Sequence, residues 1–485
     1  MRFSKYILTF LLITGSILAY AQTDTSTLLT LQKCLDIAVK NNLQVKQSGL
    51  TAESAHIDLY QAKENLLPSI YGNAGRTLSQ GHYISSVTGS YVNQSQTTDN
   101  YSLTGGMTLF NGFALQNAIK AASLAFQAGK MDFQSAKDVV IVNVITGYLA
   151  ILDNEELLAA NISQLAVAQQ NVDLLSIKER EGANKAASDL TDFKGTLASS
   201  QVAVVGAQNS LDAAKLNVFQ LMNIQYKPGT EFAALNAEDL SGDYGADPNQ
   251  IYETALQQFA AVKAATLRRQ SAEKSVKSAK GYLFPQLTLN GGLSTTYSSS
   301  AQKSTFTDST TNAVPGLFIT TPVTPANPTG KQSVYSTQAN YATQNISYGD
   351  QFKNNYGNYV GIGLYIPIFT NRIKYNAVSK AKLNLLANQN IEDNTKIVLK
   401  QNIEQAYYNM TAAYKRYQAL KDQVAAYTES YRIYKLRFDA GVITSVDFIF
   451  AKNNLDAATV NMISAHYDYF IDSKILDYYQ GKLSF

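Results

Sequence analysis

Histidine, cysteine and carboxylate side chains build most catalytic and metal centres, and this chain spaces them for neither. His56, His82 and His466 stand apart, without the short intervals that bring two ligands to one metal. Cys34 is the only cysteine, so no internal disulfide forms and stability must come from packing or assembly. Gly361-Ile362-Gly363 runs into an apolar strand pattern, whereas a phosphate-binding glycine loop opens a helix. The chain therefore reads as a non-enzyme with no catalytic residue, cofactor or metal. Its net charge of +3 over 485 residues gives no basic patch and no case for nucleic acid. The charged residues of interest gather at two helix breaks. Lys178 and Arg180 precede Gly182, and Asp189 follows it; Arg437 precedes Ala440-Gly441, and Val442 and Asp447 follow. Aspartate just past a turn caps the next helix. Basic residues in a last helical turn complement the helix dipole.

The two breaks belong to a chain that says nearly the same thing twice. Lys63-Glu64-Asn65-Leu66-Leu67-Pro68-Ser69-Ile70 returns as Lys280-Gly281-Tyr282-Leu283-Phe284-Pro285-Gln286-Leu287, 217 positions later. Leu109-Phe110-Asn111-Gly112 returns as Ile368-Phe369-Thr370-Asn371, 259 positions later, and that offset holds through Tyr148 and Tyr407 and through Gly182 and Gly441. The second half thus carries an insertion of 42 residues, the difference between the offsets. A repeat this long means that neither half closes its own surface alone.

The expected domains are a signal peptide over 1–21, a first repeat over 22–225, a connector over 226–248 and a second repeat over 249–485. Arg2 and Lys5, the apolar run from Ile7 to Leu18 and Ala19-Tyr20-Ala21 make the export signal, with Gln22 as the mature start. That expected start is not a cysteine, so lipid attachment at a new amino-terminal cysteine is not indicated. No later stretch approaches the ~20 consecutive apolar residues of a spanning helix, which leaves soluble export, or insertion as a β-barrel through weakly alternating strands.

Each repeat reads helix, hairpin, long helix, tight turn, returning helix. The first helix, Leu28 to Leu67, stops before Pro68. A hairpin over 69–110 follows, with 83–99 as a polar connector; Tyr101, Leu103, Met107 and Leu109 alternate with polar or small residues. In the second repeat Asp247-Pro248 starts a helix over about 249–283. A hairpin over 285–369 contains a Ser/Thr/Asn/Gln/Tyr tract, 298–355, read as a surface loop. Val360, Ile362, Leu364, Ile366 and Ile368 share one face of its last strand.

The long helices, 113–179 and 372–438, have 67 residues each and so run ~100 Å. Ile403, Tyr407, Met410, Tyr414, Tyr417, Leu420, Val424, Tyr427, Tyr431, Tyr434 and Phe438 recur at an average step of 3.5, the coiled-coil period. Tyrosine packs its ring and keeps its hydroxyl wet, which suits a loosely sealed seam. Four alternating strands cannot close a barrel, since the smallest membrane barrels have ~8. The chain must therefore assemble through them: two copies give a filled eight-stranded barrel, three copies a twelve-stranded one with a lumen.

These residues resemble the outer-membrane efflux proteins of the TolC family. The resemblance covers essentially the whole mature chain. It rests on the repeat, the long helices, the switches at Pro68 and Pro285, and the phrases Leu109-Phe110-Asn111-Gly112, Ile366-Pro367-Ile368-Phe369, Arg437-Phe438-Asp439-Ala440-Gly441 and Ser445-Val446-Asp447-Phe448. It implies an α+β, mostly helical fold, in which a two-fold repeat of coiled-coil helices and β-hairpins builds a homotrimer. Twelve strands would form a β-barrel in outer-membrane lipid, and the helices an α-barrel across the periplasm. The implied function is the exit channel of a tripartite efflux or type I secretion system. Its partners would be a periplasmic adaptor (membrane fusion) protein and an inner-membrane pump of RND, ABC or similar class.

The resemblance also places the turns 180–189 and 439–446 at the periplasmic tip, with Gly182, Ala440, Gly441 and Val442 meeting the adaptor. Asp189 and Asp447 resemble the family's aperture aspartates; for Asp447 the aperture reading and the helix-cap reading stand level, and for Asp189 the cap leads. The family's Tyr and Arg latch positions hold Val442 and Ile443 here, so Arg437, Lys178 and Arg180 become the candidate latch. A trimeric structural coiled-coil protein or adhesin is the alternative function, but it would not repeat helix-hairpin-helix twice. Conductance separates the two.

Overall fold

A computed structural model describes residues 28–84, 89–181, 186–235, 244–245 and 247–482. The expected signal peptide, Gly182 and part of the 226–248 connector lie outside these. The chain divides into two compact units, Met1–Leu59 with Lys120–Lys274 and Lys382–Phe485, and Tyr60–Ile119 with Ser275–Ala381.

The second unit holds the strands: β1 (Ser69–Ile84), β2 (Tyr91–Phe110), β3 (Gln286–Ser298), β4 (Gln302–Thr320), β5 (Lys331–Asn345) and β6 (Gly357–Tyr365). One antiparallel sheet has the order β1-β2-β3-β6, and β4 and β5 form a second sheet of their own. Two expectations fail here. The polar connector 83–99 is mostly strand, since β1 and β2 pair rung by rung out to Ile84 and Tyr91. The tract 298–355 is not a loop: it folds into β4, β5 and a short helix, Tyr348–Asn354. Its Ser, Thr and Tyr side chains suit a pleated ribbon as well as a loop, and composition alone does not separate the two. Gln351, at 2% exposure, ties the short helix to the end of β3: its Nε2 donates to the Ser298 and Ile346 carbonyls, and its Oε1 accepts from the Ser298 N–H.

Register sorts the four-stranded sheet into two faces. Ile362 opposes Leu289 and Leu364 opposes Leu287; Leu289 in turn opposes Met107, and Leu293 opposes Leu103. These apolar residues share one face. Gly361 opposes Asn290 and Gly363 opposes Thr288 on the other. Asp99 and Arg76 sit on the apolar face midway along β2 and β1, joined by two hydrogen bonds of 2.7 Å.

The return from strand to helix is built alike in both halves. Gly112 and Phe113 have φ of 64° and 62°; Asn371 and Arg372, 259 positions on, have 48° and 60°. The repeat therefore extends to backbone torsions. Glycine is needed at 112 for a second reason: a Cβ there would lie 2.4 Å from the Gly281 carbonyl oxygen.

The helices, in chain order, are α1 (Leu31–Asn41), α2 (Leu43–Glu64), α3 (Ala114–Arg180), α4 (Ala186–Leu221), α5 (Pro248–Gln258), α6 (Ala260–Gly281), α7 (the short Tyr348–Asn354), α8 (Ile373–Asp439) and α9 (Ser445–Tyr479). The long helices match expectation within a residue at each end. Each opening helix is divided, at Asn42 and at Phe259, where ψ opens to 126° and 121°. At Asn42 the reason is local: its Oδ1 accepts from the N–H groups of Gln44 and Val45 and so caps α2. α3 contains an 18-residue window of mean hydropathy 1.5, apolar enough by composition to cross a membrane, and 44% of it is buried within the protein.

The helical unit has matching cores in its two halves. Around Tyr148, Val144, Leu149, Ile151, Val218 and Phe219 pack, and the Tyr148 hydroxyl donates to the carbonyls of Ala233 (2.6 Å) and Leu29 (3.1 Å). Around Ile403, Ile251, Leu399, Met410 and Leu476 pack, with Tyr407 against them. Every position of the 3.5-residue seam on α8 is buried or half-buried. Tyr414 meets the Tyr469 ring at 5.1 Å, and Tyr417 stacks on His466 at 4.8 Å.

Asp153 and Asp472 are among the carboxyls of this unit held against their preference. Burial, then the nearby Asp468 charge, pushes Asp153 on α3 and Asp472 on α9 up to about 6. Asp153 Oδ1 is buried without a hydrogen-bond partner among the described residues. A carboxyl whose folded pKa is raised binds its proton more tightly folded than unfolded, so stability falls as pH climbs from about 4 to 6. Asp153→Asn should then raise stability above pH 6 by about 1 kcal/mol after discounting for solvent screening, and change nothing near pH 3. Thermal melts at the two pH values test this; an equal gain at both would mean that charge is not the cause.

Candidate functional site at the helix turns

The turns α3–α4 and α8–α9 are the candidate site, and a local apolar core holds them together. Val172 and Leu175 of α3, Leu190 and Phe193 of α4, and Phe448 of α9 are buried, with Tyr431, Phe438 and Ile443 against them. Phe448 stacks on Phe438 at 5.1 Å and meets Tyr431 at 5.5 Å and Phe193 at 5.7 Å. Leu175, Leu190, Phe193 and Phe448 come from both repeats, so this core couples one helix pair to the other.

The second turn ends α8 and starts α9 by standard local chemistry. Gly441, at φ 73°, donates to the Phe438 carbonyl, and Val442 donates to the Arg437 carbonyl; this pair of bonds is a Schellman motif. Thr444 then caps α9. The Asp447 N–H donates to Thr444 Oγ1 (3.2 Å), while the Thr444 hydroxyl (2.6 Å) and N–H (3.1 Å) both donate to Asp447 Oδ2. These two Thr444 donors, with Arg437 nearby, hold the Asp447 carboxyl below the usual carboxylate range. The cap reading of Asp447 is therefore part of its geometry, and the carboxylate stays exposed and ionised.

The other candidates separate. Asp189 lies half-buried in the first turn of α4. Lys178 and Arg180 sit in the last turn of α3, where Arg180 Nε donates to the Ser176 carbonyl of its own helix. Arg437 stands in the last turn of α8. Ala440 and Gly441 are exposed, and Val442 is 67% exposed. Val446 and Phe450 are exposed apolar residues on the first turns of α9, and Leu436 is one on the last turn of α8. Two neighbours of the turns were not singled out from sequence. Asp192 accepts a hydrogen bond from buried Ser445 at 2.9 Å, joining α4 to α9, and Phe193 fills the core beside it. The cue for Phe193 was its place one turn past the break, on the same stripe as Leu190 and Leu197.

Comparison with known proteins agrees with this architecture. The family model described as outer membrane efflux protein matches residues 34–223 and 335–481. Outer membrane protein TolC of Escherichia coli (strain K12) is 22% identical over 436 residues, 89% of this chain and 78% of TolC. Among solved structures, the CmeC outer membrane channel of Campylobacter jejuni superposes with a TM-score of 0.72 at 18% identity, covering 94% of this chain and 86% of CmeC. The outer membrane protein VceC of Vibrio cholerae gives 0.72 at 14% identity, covering 93% and 96%. With the family match spanning both repeats and the fold shared along nearly the whole length, the chain belongs to the outer membrane efflux protein family, a family of channels, and is an outer-membrane efflux channel.

Proposed function

We propose that three copies of this chain form a single exit conduit, which takes cargo from an inner-membrane pump through a periplasmic adaptor to the exterior. The observation that carries this reading is the four-stranded sheet. It has one apolar face and one polar face, and among the described residues β1 and β6 each pair on one side only. Unpaired strand edges in hydrocarbon are not viable, so β6 of one copy pairs with β1 of the next until the barrel closes. The strand directions permit it, because β1 and β6 run antiparallel in the order β1-β2-β3-β6. Three copies leave a lumen and two do not. Native mass spectrometry should give a trimer, and planar-bilayer recordings a defined unitary conductance. A dimer, or a stable trimer without conductance, would overturn this trimeric conduit.

The turns 180–189 and 439–446 supply the periplasmic mouth in this reading. Exposed Leu436, Val442, Val446 and Phe450 offer the adaptor an apolar landing, and Asp447, helped by Asp189, lines the aperture with carboxylates. Lys178, Arg180 and Arg437 are the basic groups that latch it. Carboxylate rings favour cations. Asp447→Asn keeps a capping side chain and removes the charge, so cation selectivity should drop while the melting temperature moves little. Thr444→Ala does the reverse: stability falls by about 1 kcal/mol, and the reversal potential stays put. An unchanged reversal potential in Asp447→Asn would leave Asp447 as a helix cap only.

A further inference from the structure

We propose that the part of the conduit built by the sheet β1-β2-β3-β6 is a sleeve without fixed charge, so that it does not sort cargo by charge and leaves any such sorting to the helical portion. This rests on the barrel reading above. The register defines one face completely. It consists of the odd-numbered positions of β1 from Ser69 to Gly81, the even-numbered positions of β2 from Val92 to Thr108, the even-numbered positions of β3, and the odd-numbered positions of β6. None of these is Asp, Glu, Lys, Arg or His. The opposite face carries the ion pair of Arg76 with Asp99, and also His82.

The uncharged face is nonetheless polar and shaped. Thr296 donates to Asn100 Oδ1 at 2.9 Å, Gln96 Nε2 donates to Ser298 Oγ at 2.8 Å, and Asn290 Nδ2 donates to Thr288 Oγ1 at 3.2 Å. Hydroxyls and amides here satisfy one another, two of these bonds crossing from β2 to β3 and one running along β3. Two glycines make room for the larger groups. A Cβ at Gly106 would lie 2.6 Å from Asn290 Oδ1, and one at Gly292 would lie 2.8 Å from the Tyr359 ring. Asn290, Tyr359 and Tyr71 then border a cavity of about 850 Å³, where Glu64, from the end of α2, brings the one ionisable acid. A wall of hydroxyl, amide, glycine and phenol groups wets the passage and offers hydrogen bonds to any polar solute. It imposes no sign of potential beyond the reach of charges at its ends, ~8 Å at physiological salt.

Cysteine scanning with charged thiol reagents reads that potential directly. The native background is silent, because Cys34 is buried and burial pushes its thiol up to about 11. Thr104→Cys and Asn290→Cys, with Ser294→Cys as a third position should either fold poorly, are reconstituted in lipid vesicles and reacted with a cationic and an anionic methanethiosulfonate. The ratio of the two rates is normalised to that of a free thiol. The expected ratio lies within about threefold of one at each site, and Thr104→Asp beside Asn290→Cys should shift it about tenfold towards the cation. A ratio about tenfold from one without an added charge overturns the proposal. Leu289→Cys, on the apolar face, should react with neither reagent. If it reacts while Asn290→Cys does not, the facing of the barrel is wrong and the proposal falls with it. A lopsided ratio at Asn290→Cys with Leu289→Cys silent removes the proposal alone.

Discussion

Ile362→Arg should destabilise the folded barrel in lipid by about 2–4 kcal/mol where position 362 lies near the bilayer midplane. Ile362 stands on the face that it shares with Leu289, Leu364 and Met107, and it is 70% exposed in the isolated chain. A guanidinium on that face must leave water for hydrocarbon. The neighbour Gly361 points the other way, and a Cβ there meets no atom within 4 Å. Gly361→Arg should therefore fold nearly as well as the parent and alter conductance instead. Denaturant titrations of both variants in vesicles decide the matter. If Gly361→Arg were the costly one, the faces would be assigned in reverse, and the uncharged face would be the one on lipid.

Phe448→Ala should remove about 3–5 kcal/mol from the tip, because the ring is 1% exposed and touches Phe193, Phe438 and Tyr431. Few other buried contacts among the described residues hold the turns, so the loss should show as local opening before global unfolding. Amide exchange should accelerate over 172–197 and 431–450 while the core around Tyr148 keeps its protection. Phe450→Ala, two residues away but 65% exposed, should change stability by no more than about 0.5 kcal/mol. It should weaken adaptor binding instead. Equal losses from the two variants would mean that the tip core does not depend on the Phe448 ring.

Much of the architecture was legible because it is local. Both long helices could be placed within a residue because no proline interrupts them and each ends at a glycine break, and the α8 seam followed from a period sustained over ten steps. The insertion was located correctly and its structure was misread. Over 298–355 no apolar alternation marks strands, since the ribbon β4–β5 is exposed along almost its whole length. The divisions at Asn42 and Phe259 were missed for a similar reason: each interrupts a helical pattern for one residue, and the pattern resumes in phase.

The candidate site divides along the same line. Asp447 as a capping residue follows from Thr444 three positions before it, a purely local match of donor and acceptor. The repeat, the helix spans, the turn glycines and the facing of β6 are likewise consequences of nearest neighbours and periodicity, so the linear chain determined them. Which hairpins lie side by side did not follow from the chain: β1 with β2 and β3 with β6 were expected as hairpins, whereas β2 joins β3 across nearly two hundred residues. Those pairings decide that the two halves' uncharged positions fall on one common face. The meeting of Phe193 with Phe438 and Phe448, and of Asp192 with Ser445, was likewise decided only in three dimensions. Such contacts depend on how two separately coded helix pairs pack, and side-chain complementarity between distant segments leaves no periodic trace in either.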